Sequence, residues 1–293
     1  MAQTTFDSME TQKGHSFWSV FFRNSFLTFV YILLILLAVS MIFPYVWMLA
    51  NSFKTRTAFF TDPYTIIPQA VTLNTYREAL TIGRMSIYLM NSALYTITVL
   101  LAQLFINSLA AYSFARVDFP GRDTLFLAVL ATLMLPGSVT LIPTFLIAHK
   151  LGLTNTFLGV VLPSFVSAFG IFLLRQFFLN IPRELEDAAR IDGSGFFGTY
   201  WRIMLPLAQP AMITLGVFTF LSEWNSFIWP LIVLSDSDKY PVTVGIALFR
   251  DFNTINWPNV FAAATIVSLP VVILFILAQN SIVGGISLSG LKG

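Results

Sequence analysis

The sequence predicts an all-α membrane protein with six membrane-spanning helices. Of its 293 residues, 56% are hydrophobic and only 10% are charged, whereas soluble domains carry roughly 25% charged residues. Several apolar runs reach the ~20 residues that a helix needs to cross the bilayer core. They do not alternate apolar and polar residues over the ~10 positions of a barrel strand. The net charge of +2 is too small to indicate a nucleic-acid partner.

The six predicted spans follow the long apolar runs in order. A tail, residues 1–25, precedes the first run, which is too long for the core of a signal peptide and is therefore expected to remain in the protein. The predicted membrane domain covers residues 26–283, and a short tail, residues 284–293, follows it. The spans are predicted near residues 26–50, 86–112, 124–148, 156–178, 207–233 and 259–283.

The distribution of Lys and Arg predicts how the spans are oriented. An even number of spans leaves both termini on one side, and cytoplasmic loops carry the excess of positive charge. With both termini inside, the cytoplasmic side holds nine Lys and Arg residues and the outer side holds seven. Four of the seven lie in one long outer loop, residues 51–85, in which "LNTYREAL" predicts a short helix. We therefore expect cytoplasmic termini and a cytoplasmic loop at 180–206.

No cluster of side chains predicts a metal site or a catalytic site. Cysteine is absent, and neither His15 nor His149 has another potential ligand at a spacing typical of metal sites. The sequence contains no constellation of His, Asp or Cys typical of an enzyme. We expect a protein that is not an enzyme and that binds no cofactor itself.

The polar loop between spans four and five begins with a predicted helix. Pro182 can open this helix, and Glu184 and Glu186 favour its positive N-terminal end. Gly193 can close it in the left-handed conformation. Residues 182–192 are therefore predicted to form three helical turns.

A second helix is predicted after Gly193, with Ser194 as its cap. Small residues on the first helix would let another backbone approach closely, and an aromatic stripe marks the second. The two helices would form a compact lever rooted beside span five. The alternative is a surface loop whose aromatic side chains rest at the bilayer interface. The small face comprises Leu185, Ala188, Ala189 and Asp192, and the stripe comprises Phe196, Phe197, Tyr200, Trp201 and Met204.

Three glycines in this loop imitate a dinucleotide-binding motif. Gly193, Gly195 and Gly198 spell G-x-G-x-x-G, which binds a dinucleotide only when it follows a strand in a βαβ unit. Here the preceding residues are charged and predicted to be helical. The sequence also lacks a phosphate loop of the form G-x-x-x-x-G-K-S/T. We do not expect this chain to bind nucleotide.

The same loop resembles the cytoplasmic loop of permease subunits in bacterial ABC importers. That family has the pattern E-A-A, three residues, G, nine residues, I-x-L-P. Asp187 stands where the family usually has Glu, and Glu186 beside it can share the role. The matching positions are Asp187, Ala188, Ala189, Gly193, Ile203, Leu205 and Pro206.

Other segments resemble the carbohydrate branch of these permeases, in particular the smaller permease subunit of maltose-type systems. The resemblance covers nearly the whole chain from about residue 25. The segments are "NSFK" at 51–54, "NS" at 91–92, "LEDAARIDG" at 185–193, "EWNSFIWPLI" at 223–232 and the Gly-rich end "GGISLSGLKG".

This resemblance implies a type I ABC importer permease fold in the bacterial cytoplasmic (inner) membrane. It also implies a heterodimer with a second, homologous permease, two ATP-binding subunits that use ATP and Mg, and an extracytoplasmic solute-binding protein. Residues 180–206, here called the coupling loop, would place a coupling helix in a groove of an ATP-binding subunit. The C-terminal tail would reach toward the same interface. The implied contact is Asp187, the implied close fit involves Ala188, Ala189 and Gly193 with Glu186 and Asp192 beside them, and the implied anchor to span five is Ile203, Leu205 and Pro206.

Polar residues within the spans are candidates for a translocation path. Glu223 is an intramembrane carboxylate, which is costly and therefore a functional candidate, and Trp224 and Asn225 beside it suit contact with a sugar. The alternative is a turn near the outer interface that Glu223 stabilises. Asn91 carries the same two interpretations, since interhelical hydrogen bonds are the commoner use of such amides. The same use is expected of Gln103 and of Asn107, which shares a packing face with Ala111 and Ala115.

The sequence leaves the transport mechanism and the cargo with alternatives. The first hypothesis is an ABC importer of a carbohydrate, with an oligosaccharide as the expected cargo. An ATP-independent secondary transporter or channel is the second, although such proteins usually carry more buried ionisable residues. Within the first, similar permeases carry maltodextrin-like sugars, uronides such as alginate fragments, and glycerol 3-phosphate.

Overall fold

Long helices form wherever the sequence carries an unbroken apolar run. The computed structural model describes residues 17–68, 70–248 and 256–290, and this part of the chain contains helices and turns but no strand. The helices are α1 (Phe17–Ser52), α2 (Arg56–Thr61), α3 (Asn74–Thr81), α4 (Met85–Arg116), α5 (Arg122–Thr132), α6 (Gly137–Lys150), α7 (Phe157–Val161), α8 (Ala168–Asn180), α9 (Glu184–Ile191), α10 (Phe196–Thr199), α11 (Leu205–Leu207), α12 (Gln209–Trp224), α13 (Ile228–Val233), α14 (Val242–Leu248) and α15 (Trp257–Gly290).

The predicted all-α membrane fold is confirmed. Among the described residues, three helices are long and apolar enough to cross a membrane alone, namely Phe26–Ser52 within α1, all of α4, and Trp257–Gln279 within α15. Three bent pairs of helices raise the number to six if each pair forms one span. The predicted short helix in "LNTYREAL" is α3.

The first and last spans extend beyond their predicted ends. Helix α1 begins at Phe17, inside the tail predicted for residues 1–25, and residues 1–16 lie outside the described part of the chain. Helix α15 continues to Gly290, past the predicted end at residue 283, and residues 291–293 again lie outside it. An apolar run shows where a helix can contact lipid. The helix itself can continue past that run until a residue interrupts its backbone hydrogen bonds.

Spans three, four and five are each broken into shorter helices, a feature that the sequence analysis did not predict. Span three is α5 and α6, bent by 101°, and span four is α7 and α8, bent by 41° around the 3₁₀ turn Leu162–Ser164. In span five, α12 begins at Gln209 after a 76° bend and ends at Trp224, before α13. Proline explains these interruptions because it lacks the N–H of a helical hydrogen bond. Pro136, Pro163, Pro206 and Pro210 stand at or beside the first, second and third bends.

Helix α4 lies at the centre of the bundle, against α8 and α12. Its C-terminal half contributes Ala111, Tyr112 and Ala115 to a buried core that includes Leu174 and Leu215. Helix α1 packs against α15, and its most apolar 18-residue window has no buried residue. Such a surface is stable only against lipid or another protein.

Candidate functional site: the coupling loop

Helix α9 is shorter at its start than the sequence predicts. It begins at Glu184 rather than Pro182, and Arg183 is its cap residue. The Arg183 carbonyl accepts the amides of Glu186 (2.9 Å) and Asp187 (3.0 Å). Pro182 therefore lies two residues before the helix. The helix comprises the eight residues Glu184–Ile191 and not the three turns predicted for residues 182–192.

Gly193 ends α9 as predicted. Its φ of +82° lies in the left-handed region, which costs glycine nothing and other residues roughly 1–2 kcal/mol. The amide of Ser194 donates to the Ala189 carbonyl (2.8 Å) and that of Gly193 donates to the Arg190 carbonyl (3.0 Å). These two bonds form a Schellman motif, which satisfies carbonyls that the helix leaves free.

Ser194 does not cap the second helix, so that prediction was wrong. Gly195 occupies the cap position of α10 and makes no side-chain cap bond. The Ser194 hydroxyl instead lies 2.5 Å from the point where a Cβ on Gly198 would stand. The absence of a side chain at Gly198 therefore makes room for Ser194 in the turn.

A buried ion pair fixes α9 to the bundle. The Nε of Arg116, the last residue of α4, lies 3.0 Å from Glu186 Oε1, and the two side chains are only 3% and 6% exposed. The same guanidinium donates hydrogen bonds to the carbonyls of Phe178 and Ile181, at and just past the end of α8. One side chain therefore ties together α4, α8 and α9.

The two faces of α9 have different partners. Glu186 and Ala189 are buried against the bundle, whereas Leu185, Ala188 and Asp192, the rest of the predicted small face, are exposed. Asp187 is also exposed, with only a distant pairing to Arg190 at 3.9 Å. Ile191 and Gly193 lie beside this outer face, and Ile191 is 86% exposed. The outer face of α9 is therefore small, apolar and acidic, and among the described residues its ion pair is the distant one between Asp187 and Arg190.

The predicted aromatic stripe divides into two sets. Tyr200 and Met204 are buried in the core, and the Tyr200 hydroxyl is 2.7 Å from that of Ser108 on α4. The Tyr200 ring also packs on Tyr112, 5.4 Å between centroids. Phe196, Phe197 and Trp201 are exposed. Two of the five residues hold the second helix on α4, and the other three present aromatic surface outward.

The predicted anchor, Ile203, Leu205 and Pro206, lies between the lever and α12. Residues Tyr200–Met204 form a π-turn, and the Leu205 amide donates to the Tyr200 carbonyl, five residues back. Leu205 packs against the buried core, and Ile203 is half-buried. Pro206 and Pro210 flank the 76° bend into α12. The loop therefore continues directly into span five.

Residues that the sequence did not single out carry much of this support. Arg116 was counted only as a positive charge, and Tyr112, Ser108 and Phe178 were not considered. Arg116 does carry a signal, because it is a cation at the end of a long apolar helix. The sequence alone does not show that the end of α8 and the start of α9 meet there.

Away from the coupling loop, a polar network joins the broken spans. Gln103 accepts a hydrogen bond from the Thr219 hydroxyl (2.8 Å) and donates one to the Ser164 carbonyl (2.7 Å). The Ser164 side chain also lies near the Glu223 carboxylate. Asn107 accepts the Ser167 amide at 3.2 Å. The interhelical bonds expected of Gln103 and Asn107 are therefore present.

The other candidates for the path make hydrogen bonds outside this network. Trp224 is buried and donates its ring N–H to the Val267 carbonyl of α15 (3.0 Å). Asn225 is exposed, after the end of α12, and bonds back to the Leu221 carbonyl. Asn91 donates to the carbonyls of Asp238 (2.7 Å) and Tyr240 (3.0 Å). Glu223, Trp224 and Asn225 are consecutive, whereas Asn91 is engaged with a separate loop.

The architecture and the loop have counterparts among known proteins. The arabinooligosaccharide transport system permease protein AraQ of Halalkalibacterium halodurans is 34% identical over 255 residues, which cover 86% of this chain and 91% of that protein. The trehalose/maltose transport system permease protein MalG of Thermococcus litoralis is 33% identical over 264 residues, 88% and 94% of the two chains. The diacetylchitobiose uptake system permease protein NgcG of Streptomyces coelicolor is 32% identical over 259 residues, 87% and 85%.

A solved structure has the same fold. A crystal structure described as a bacterial ABC transporter involved in the import of the acidic polysaccharide alginate matches with a TM-score of 0.81 over 88% of this chain and 96% of that chain, at 24% identity. A family profile described as "Binding-protein-dependent transport system inner membrane component" matches residues 107–287, which include the coupling loop and α12. This chain belongs to that family of transport permeases.

Proposed function

We propose that this chain is the permease subunit of an ATP-driven importer that takes up a carbohydrate delivered by an extracytoplasmic solute-binding protein. The observation that carries the proposal is the outer face of α9, where Asp187, Ala188 and Gly193 are exposed while Glu186 and Ala189 hold the opposite face on the bundle. A helix that is held on the bundle by one face and exposed on the other offers a docking surface to another subunit. The permeases named above, which carry arabinooligosaccharides, trehalose and maltose, or diacetylchitobiose, support an oligosaccharide as cargo.

The coupling loop would face the cytoplasm and contact one of two ATP-binding subunits, which would use ATP and Mg. Asp187 would supply the electrostatic contact, and the small Ala188 and Gly193 would allow close approach. Ala189 would serve the same purpose toward the bundle itself. Motion imposed on α9 would pass through Arg116 to α4 and through the π-turn to α12, as a rigid-body change.

The remaining partners would be a second, homologous permease and the solute-binding protein. Both termini would be cytoplasmic, in accord with the excess of Lys and Arg on that side. The binding protein would then meet the opposite face, which carries the cap formed by residues 51–85. Lipid or the second permease would cover the exposed apolar faces of α1 and α6.

Glu223, Trp224 and Asn225 would border the translocation path where α12 ends. A carboxylate that lies near Ser164 and beside an aromatic residue offers a sugar the hydrogen-bonding and apolar surface that it needs. Asn91 would hold the 238–240 segment on α4.

Purification from the native membrane in a mild detergent tests this proposal. We expect a second permease and an ATPase to copurify, and we expect oligosaccharide with its binding protein to raise ATP hydrolysis. A chain that purifies alone and moves solute without ATP would overturn the proposal in favour of a secondary transporter.

A further inference from the structure

The cap exposes an apolar edge beside the end of the first span. Residues 63–73 contain no charged residue. Tyr64 is 85% exposed and Ile67 is 83% exposed. We define the cap edge as the five large apolar residues that are exposed in the described part of this segment, Tyr64, Ile66, Ile67, Val71 and Leu73.

Two hydrogen bonds fix the cap edge along the last turns of α1. The Trp47 indole donates to the Pro63 carbonyl at 3.1 Å, and the Thr72 amide donates to the Phe53 carbonyl at 2.9 Å. Trp47 and Phe53 are separated by ~9 Å along the helix axis, at 1.5 Å per residue. Both ends of the segment 63–73 are therefore held against a short interval along the axis of α1.

That interval coincides with the boundary of the bilayer. The apolar span Phe26–Ser52 has 27 residues and is about 40 Å long, whereas the hydrocarbon core measures about 30 Å. Its last turns therefore lie at the level of the lipid headgroups. Trp47 belongs there as well, because Trp is enriched at membrane interfaces.

A cation of the same loop is buried. Lys54 is only 2% exposed, and its ammonium donates to the carbonyls of Asp62 (2.8 Å) and Thr65 (2.7 Å). Burial lowers the pKa of this ammonium, an effect that Asp62 opposes. The loop thus folds around its cation and turns an uncharged apolar surface outward.

We propose that the cap edge is a membrane anchor, which inserts Tyr64 and Ile67 into the headgroup region of the leaflet at the C-terminal end of α1. The partner is the lipid surface itself. The cap edge is continuous with the exposed apolar surface of α1, a helix long enough to cross the bilayer, and this continuity favours lipid over a protein partner. The anchor fixes the depth and the tilt of the cap, which is formed by residues 51–85.

Site-directed fluorescence in vesicles tests this anchor directly. The chain has no cysteine, so Ile67→Cys gives a single site for an environment-sensitive fluorophore. The labelled full chain is reconstituted into vesicles of phosphatidylethanolamine and phosphatidylglycerol, with nitroxide quenchers attached either to lipid headgroups or to acyl chains. Met41→Cys on α1, 78% exposed, is the lipid control, and Ile191→Cys, 86% exposed, is the control outside the membrane.

We expect nitroxide lipids to reduce the fluorescence at residue 67 as strongly as at residue 41, with the headgroup nitroxide acting best at residue 67. Little loss is expected at residue 191. Quenching at residue 67 by soluble iodide alone, as at residue 191, would overturn the anchor. Shielding of residue 67 from both kinds of quencher would also overturn it, because protein would then cover the cap edge. All three outcomes are independent of ATP and cargo.

Discussion

Glu186 and Asp187 are consecutive carboxylates on opposite sides of α9. Glu186 is paired with Arg116 in the interior at 3.0 Å, whereas Asp187 is exposed. Two residues with the same charge therefore have separate tasks, one toward the bundle and one away from it. This separation makes the pair a test of how the coupling loop works.

We predict that Glu186→Gln destabilises the subunit, whereas Asp187→Asn does not. Removing one member of a buried ion pair costs roughly 3–5 kcal/mol, and an exposed pair contributes at most about 1 kcal/mol. Thermal unfolding in detergent measures the first effect. Asp187→Asn should instead lower stimulated ATP hydrolysis and uptake at normal stability.

Arg116→Met combined with Glu186→Leu provides the control for this interpretation. If the ion pair is the cause, the double variant should be more stable than the sum of the two single changes, because no charge remains buried and unpaired. Strict additivity of the two changes would contradict the role assigned to the pair.

We predict that Gly193→Trp abolishes ATP-dependent uptake while Gly152→Trp does not. Both glycines have positive φ, +82° and +69°, and a Cβ at either position meets no atom of this chain within 4 Å. Both substitutions therefore impose similar backbone strain, roughly 1–2 kcal/mol. Only Gly193 borders the surface proposed for the ATP-binding subunit. Uptake into vesicles, with protein levels matched, measures the difference.

Gly193→Asn separates backbone strain from a steric block at the interface. Asn tolerates the left-handed conformation better than other residues that carry a Cβ. It should therefore keep α9 intact and retain more uptake than Gly193→Trp. Equal loss of uptake in both variants would assign the effect to crowding by any side chain, and full uptake in both would remove the coupling role.

We predict that Glu223→Gln changes the substrate dependence of transport with little change in stability. Gln can still bond to the Ser164 hydroxyl, which contacts Glu223, but it removes the charge. Uptake measured over a range of substrate concentrations should show a raised KM. Ser164→Ala is the structural control, since it should cost about 1 kcal/mol of stability. An unchanged KM in Glu223→Gln would leave Glu223 as a residue that shapes the end of α12.

We predict opposite effects for two glycine-to-alanine changes inside the bundle. A Cβ on Gly170 would lie 2.7 Å from Asn107 Nδ2 and 3.0 Å from Leu215 Cδ1, whereas one on Gly216 would meet only Leu100 Cδ1 at 3.8 Å. Gly170→Ala should lower stability by about 1–3 kcal/mol through overpacking. Gly216→Ala should be neutral or stabilising by up to about 1 kcal/mol. A shift in the unfolding temperature of the same sign for both would contradict this packing.

Local features of the coupling loop were predictable because they depend on neighbours in the chain. At Gly193 the chain closes α9 through the bond from its own amide to Arg190 and the bond from the Ser194 amide to Ala189, and the family pattern fixed the spacing to Pro206. The predictions for the start of α9 and the cap of α10 were wrong. They relied on the local preferences of Pro182 and Ser194, and the chain adopts other turn geometries there. The bends in spans three to five were missed because apolar runs conceal the effect of their prolines.

The division of α9 into two faces was not predictable from the loop alone. It depends on Arg116, 70 residues before Glu186 in the chain, and on the carbonyls at the end of α8. Periodicity grouped Leu185, Ala188, Ala189 and Asp192 on one face, but the position of the bundle decides that Ala189 lies inside. Such long-range arrangements follow from the packing of α4 against α8.

Helix α4 has a mechanical consequence for the whole molecule. It contains neither proline nor glycine over its 32 residues, so it has no evident point of bending. At one end Asn91, Ser92 and Tyr95 bond to residues 238–242, and at the other Arg116 holds α9. The helix therefore acts as a rod with a fixed attachment at each tip. A displacement of α9 would therefore reach the 238–242 segment as the movement of one rigid body.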